Sequence, residues 1–201
     1  MPATPSRTTR TALSLALLAI TAAFAAAFAA EDPRLDDSRR LAAALQSGLG
    51  SRLQQAMAEG GPVQAIGACR AEAPAIAARL GDSSGARIGR TALRVRNPAN
   101  APDAAARVVL DDFAHRLAAG EKGPIEDLRV LADGSVRYMQ AIVTQPLCLA
   151  CHGTAVAGPV RAALARHYPA DEATGFSAGD LRGAIIVDWP ARETGRAEKD
   201  P

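Results

Sequence analysis

Residues 128–143 read LRVLADGSVRYMQAIV, and the fold class follows from how this stretch is built. Two runs rich in Leu, Val, Ile and Tyr, 128–131 and 136–143, flank Asp133-Gly134, a pair suited to the positive φ of a tight hairpin turn. They predict two antiparallel strands. A closing strand is predicted over 183–189, and the loosely alternating residues 87–96 predict one strand or two short ones. Upstream, Leu41, Leu45, Leu49 and Leu53 recur every four residues, so an amphipathic helix is predicted from about Pro33 to about Ala58. Gly60-Gly61 ends it. Pro62 opens a second helix with Ile66, Cys69, Ala73, Ile76 and Leu80 on one face, and Pro74 is placed to kink it because proline has no backbone N–H. A loop is predicted over 81–85. A third helix is predicted over 103–119 with Val108, Leu110, Phe113 and Leu117 inward, and a short one around 159–166. Helices first and an antiparallel sheet afterwards define an α+β domain.

The whole chain has 201 residues, enough for one domain. Arg7 and Arg10 are the only charged residues of 1–30, so the remainder carries 21 basic and 21 acidic side chains. A near-neutral body with no basic stripe excludes nucleic acid as a partner. Leu13, Leu15, Leu17, Leu18 and Ile20 form the apolar centre of an uncharged stretch that ends in Ala27-Phe28-Ala29, a small-x-small cleavage pattern. Residues 1–30 therefore read as a secretory signal peptide. The alternative is an uncleaved anchor over 11–30, which would be the body's one link to a membrane. Either way residues 31–190, the predicted domain, belong outside the cytoplasm in the periplasm, and 191–201 form a polar tail.

After the hairpin comes Cys148-Leu149-Ala150-Cys151-His152, the attachment signature of c-type haem. Two thiols one helical turn apart match the two vinyl groups of the porphyrin, and the histidine that follows becomes the proximal iron ligand. With three Cys and three His in the chain, a chance match is expected about once in 1,500 such sequences. Three readings compete with haem: a thiol–disulfide redox pair, a zinc site completed by Cys69 and His167, and a plain Cys148–Cys151 disulfide. The first normally follows a strand within a βαβ unit, the second has no further support, and the third leaves His152 without a purpose. For the sixth iron position the residues alone leave Cys69, His115, His167, Met57 and Met139 open, with Cys69 also readable as a small buried hydrophobe.

Three further stretches together resemble a bacterial exported c-type haem family with a PAS-like fold, long catalogued as a domain of unknown function. They are 88–102 with Arg94-Val95-Arg96-Asn97-Pro98, then 141–153 with the haem motif, then 168–183 with Tyr168-Pro169-Ala170-Asp171. The resemblance covers about residues 40–190. It implies a PAS-like antiparallel sheet preceded by N-terminal helices, and Cys/His axial ligation. The family cysteine lies in a Cys-x-x-x-Ala-Pro setting, which Cys69 to Pro74 matches, so the resemblance implies Cys69 as the distal ligand. Phe176 stands where an aromatic such as tyrosine is usual. Arg90 and Arg94 are the candidates for the propionates, since a guanidinium binds both carboxylate oxygens; Arg96 and Arg182 lie in the same segments.

The predicted function is a redox or small-ligand sensor built on one covalent haem c. Nitric oxide or carbon monoxide would be candidate ligands, and a separate signalling protein would take the output. The alternatives are an electron-transfer cytochrome with an exported redox partner, a haem peroxidase and a thiol–disulfide protein. No catalytic residue is assigned.

Overall fold

A computed structural model describes residues 32–192. The predicted signal peptide and the tail beyond Arg192 lie outside them. The chain divides into Met1–Leu35 and Asp36–Pro201. Of the first unit, residues 32–35 are described, and there the Asp32 carboxylate accepts from the Arg34 backbone N–H at 2.9 Å, opening the helix that follows.

Helix α1 (Arg34–Ser84) is two arms joined at Gly60 and Gly61, whose φ/ψ of −156/17 and 70/−167 are not helical. Only glycine accepts the second of these without strain. In the second unit the arms fold onto each other. A Cβ on Gly48 would lie 3.4 Å from Ile76 Cγ2, and Arg52 pairs with Glu72 across the gap. The second arm differs from the sequence reading at two points. Its backbone stays helical through Pro74, and it continues to Ser84 where a loop over 81–85 was predicted. Ser83 and Ser84 hydroxyls donate to the Leu80 carbonyl, and Gly85 at φ 76 closes the last turn by donating to Gly81 O at 2.8 Å.

The sheet is antiparallel in the order β1-β4-β3-β2, from β1 (Arg87–Thr91), β2 (Glu126–Val130), β3 (Val136–Val143) and β4 (Leu181–Trp189). The hairpin turns where predicted: Gly134 has φ 79, and the Asp133 carboxylate accepts from Ser135 N. Residues 92–96 leave the sheet after β1. Helix α2 (Ala104–Ala118) is capped by Asp103, which accepts from Ala106 N at 2.7 Å. It packs Ala106, Val109, Leu110 and Phe113 on Met139, Ala184 and Ile125. Val108, expected inward, is 60% exposed; the i, i+3, i+4, i+7 phase that covers the sheet selects Val109 instead. On α1, Ser38 accepts from the Trp189 indole N–H at 2.8 Å and Arg39 bonds Glu126, which also accepts from the buried Tyr138 hydroxyl.

Two short helices, α3 (Leu149–His152) and α4 (Gly158–His167), lie between β3 and β4 in sequence. The fold is α+β with N-terminal helices and a four-stranded antiparallel sheet. Among the described residues no helix is long and apolar enough to cross a membrane.

Candidate functional site

A cavity of about 1310 Å³ opens between the arms of α1, strand β1 with the segment after it, and α3. Pockets for drug-sized ligands are smaller, about 300–1,000 Å³. Its wall carries Cys69 from the second arm and Cys148, Cys151 and His152 from the motif. Arg90 of β1 lines it as well, so the structure brings together five of the six residues expected to hold the cofactor, from three parts of the chain.

Helix α3 is one turn long, with Cys148 at its N-cap and Cys151 and His152 as its last two residues, so one turn of chain separates the two thiols. Gly153 ends it because nothing larger fits: a Cβ there would lie 2.7 Å from Leu149 O and 3.2 Å from Leu149 Cβ. The segment 171–176 then braces the turn. Phe176 N donates to His152 O at 2.9 Å and Gly175 N to Gly153 O at 3.0 Å. The Phe176 ring meets the imidazole edge-on, with centroids 6.2 Å apart.

His152 Nδ1 lies 2.6 Å from the Ala173 carbonyl. A carbonyl only accepts, so Nδ1 carries the hydrogen, which leaves the Nε2 lone pair for a metal. Burial, with repulsion from Arg182 and Arg96, pulls the imidazole pKa down to about 3, so the ring is neutral. Burial pushes the Cys69 thiol up, against Arg90 and Arg96, which favour the thiolate. The Cys151 thiol is pushed up in the same way, with Arg96 opposing. All three cysteines are free.

Arg96 and Asp171, which the sequence reading does not assign to the site, organise it. The Arg96 guanidinium donates to Cys151 O at 2.6 Å, Asp171 Oδ2 at 3.1 Å and Ala173 O at 3.3 Å. Asp171 Oδ1 accepts from Ala173 N at 2.8 Å. One ion pair therefore ties the haem-motif turn to the carbonyl that orients His152. Both residues lie in the sequence stretches that carried the family resemblance, which was the available signal. Arg94 is placed elsewhere: it donates to Thr174 O at 2.8 Å and stacks 3.8 Å over the Phe176 ring, outside the cavity wall.

Of the other candidates for a distal ligand, Met57 and His167 line the cavity. His115 is exposed on α2, and Met139 is fully buried against Phe113, so neither faces it. No group of three or more His, Cys, Asp or Glu among the described residues is arranged to hold a metal ion by itself, which leaves the zinc reading without a ligand set.

The family model described as Tll0287-like matches residues 16–190. Among solved structures, the chain is similar to the cyanobacterial heme-protein Tll0287, with a TM-score of 0.60 and 26% identity over 80% of this chain and 97% of that one. No curated protein matches.

Proposed function

The chain belongs to the Tll0287-like family, and from that premise we propose that it is an exported monohaem c-type protein that senses redox state or a small ligand. The observation that carries the reading is the shared cavity: a CxxCH turn with a tautomer-locked histidine, and a cysteine delivered to the same space by a separate helical arm.

The donor set fits haem. Cys148 and Cys151 would each form a C–S bond to one vinyl carbon while the thiol hydrogen ends on the other, with no net oxidation. His152 offers Nε2 as the proximal ligand, held by Ala173 O. Cys69 offers a second, softer ligand as the thiolate, once binding has overcome the burial that keeps it protonated. Bound haem supplies an iron that exchanges one electron and takes axial ligands. A thiolate donor favours the ferric state, whereas Met/His ligation raises the potential.

Cys69 sits beyond the Gly60-Gly61 joint, on an arm whose companion carries the other wall of the cavity. If Cys69 held bound haem, its release on reduction, or on binding of nitric oxide or carbon monoxide, would free that arm. The Gly60-Gly61 joint would let the arm serve as the two-state element that a sensor needs. A partner signalling protein would read the change.

The test is the optical spectrum of the full chain made with the haem-attachment machinery, ferric and ferrous, for wild type and Cys69→Ala. Covalent haem with a thiolate-type ferric spectrum that disappears in the variant is the expected result. Identical spectra would return Cys69 to core packing and favour a simple electron carrier with Met57 or His167 as ligand. A chain without covalent haem would overturn the reading.

A further inference from the structure

Five arginines, Arg70, Arg87, Arg90, Arg96 and Arg182, line the same cavity, and Arg182 feels repulsion from Arg96 and Arg90. Asp171 neutralises Arg96, and at the same wall Asp188 neutralises Arg87. Among the described residues no carboxylate lies within ion-pair distance of Arg70, Arg90 or Arg182, although Asp171 attracts Arg182 from further off; Arg70 belongs to α1, whereas Arg90 and Arg182 stand on the adjacent strands β1 and β4. Arg182 donates to the Arg94 main-chain oxygen at 3.3 Å and lies 5.3 Å from the Phe176 ring centroid. The groups that Arg90 faces are the Cys69 thiol and the Tyr168 hydroxyl, both held in the neutral form by burial. Arg90 is exposed on β1 and Arg182 is half-buried, and desolvation within the cavity pulls both guanidinium groups down, Arg182 to about 10. Like charges lining one concave wall concentrate a positive potential there, so the wall suits an anion that the described residues do not provide.

The spacing of the two groups is set by rigid backbone. Arg90 is on β1, paired with Ile185 of β4, and Arg182 lies near the start of β4. At Gly183 a Cβ would stand 2.4 Å from Thr91 O, so the two strands run together there without side chains between them. We propose that Arg90 and Arg182 form a two-carboxylate subsite, one guanidinium fork for each carboxylate, and that its occupants are the two propionates of the haem. The assignment rests on the haem reading above and replaces Arg94 by Arg182. Arg96 is excluded because its charge is already spent on Asp171.

The experiment uses the full-length holoprotein as wild type, Arg90→Gln, Arg182→Gln, Arg90→Lys, Arg182→Lys and, as a control on the exposed side of α2, Arg107→Gln. Two readouts are taken: the propionate bending bands in the resonance Raman spectrum, and an equilibrium redox titration. Both Gln variants should shift the bands, and the Lys variants should return part of the way because the charge is kept. Loss of a nearby cation favours the ferric form, so at the wild-type midpoint the ferrous:ferric ratio should fall on the order of tenfold, about 59 mV for one electron. Arg107→Gln should move neither. If the Gln variants lose their haem, the wild type decides alone: exchange into deuterated water should shift the same bands, because guanidinium N–H groups donate to the propionates. Unmoved bands and an unmoved potential with haem still attached, or no deuterium effect in the wild type, overturn the subsite and leave the haem reading standing. A wild-type chain without haem overturns both.

Discussion

Replacing Asp171 by Asn keeps the side-chain shape and removes its charge from beside Arg96. The two side chains are 9% and 15% exposed, so the guanidinium left behind is largely enclosed. Breaking a buried pair from one side costs about 3–5 kcal/mol. Here Arg96 retains Cys151 O and Ala173 O as acceptors, and Asn keeps an oxygen for Ala173 N. What is lost is closer to one charge-assisted hydrogen bond, about 1.5–3 kcal/mol. We expect Asp171→Asn to cost about 2–3 kcal/mol, which for a body of this size lowers Tm by about 5–10 °C. The exposed pair Arg40–Asp37, at 71% and 48%, is the internal standard, and Asp37→Asn should cost under about 0.5 kcal/mol. Thermal and urea unfolding followed by circular dichroism measure both. Because Ala173 O holds His152, the holoprotein of Asp171→Asn should also show more than one ferric electron-spin-resonance species. Equal stability of the two variants and a single ferric species would refute the claim that this ion pair holds the site.

Other outcomes follow from the same structure. The hydrogen bond from Arg39 holds the Glu126 carboxyl below its ordinary value, with Tyr138 adding to it and burial opposing. A depressed folded pKa contributes stability above the unfolded value, about 4.5, that is lost as pH falls through the folded one. Acid unfolding curves should therefore be shallower in Glu126→Gln than in wild type below about pH 4.5. Gly183→Ala should cost more than about 2 kcal/mol in urea unfolding, since at φ 153 a Cβ would lie 2.4 Å from Thr91 O and 2.8 Å from Ala92 Cβ. On α2, Val109→Ala should cost about 1.5–3 kcal/mol and Val108→Ser under about 0.5, and the reverse order would show that the helix is rotated.

Much of the local structure was legible because its causes are local. The loop between β2 and β3 needs positive φ at Gly134, so Asp133-Gly134 announced the hairpin; Gly60-Gly61 announced the joint between the arms of α1 for the same reason. The errors have equally local explanations. Val108 and Val109 are adjacent and equally apolar, and periodicity alone does not choose between them until the sheet fixes the phase. Gly81 looked like a helix breaker, but the Ser83 and Ser84 hydroxyls and Gly85 satisfy the last carbonyls and let the arm run on.

The sequence by itself determined the α+β order of elements and the CxxCH turn, because strand alternation, helix period and a motif confined to five residues are short-range properties. Tertiary structure decided what stands around that turn. It brought Cys69 into the same cavity, set Arg96 on Asp171 at a separation of 75 residues, gave the Ala173 carbonyl to His152, and sent Arg94 to Phe176 while Arg90 and Arg182 stayed on the cavity wall. Arginines a few residues apart are equivalent as letters. Their roles separate only when β1 ends at Thr91, the chain turns away from the sheet, and each guanidinium meets the acceptor that the fold has placed within its reach.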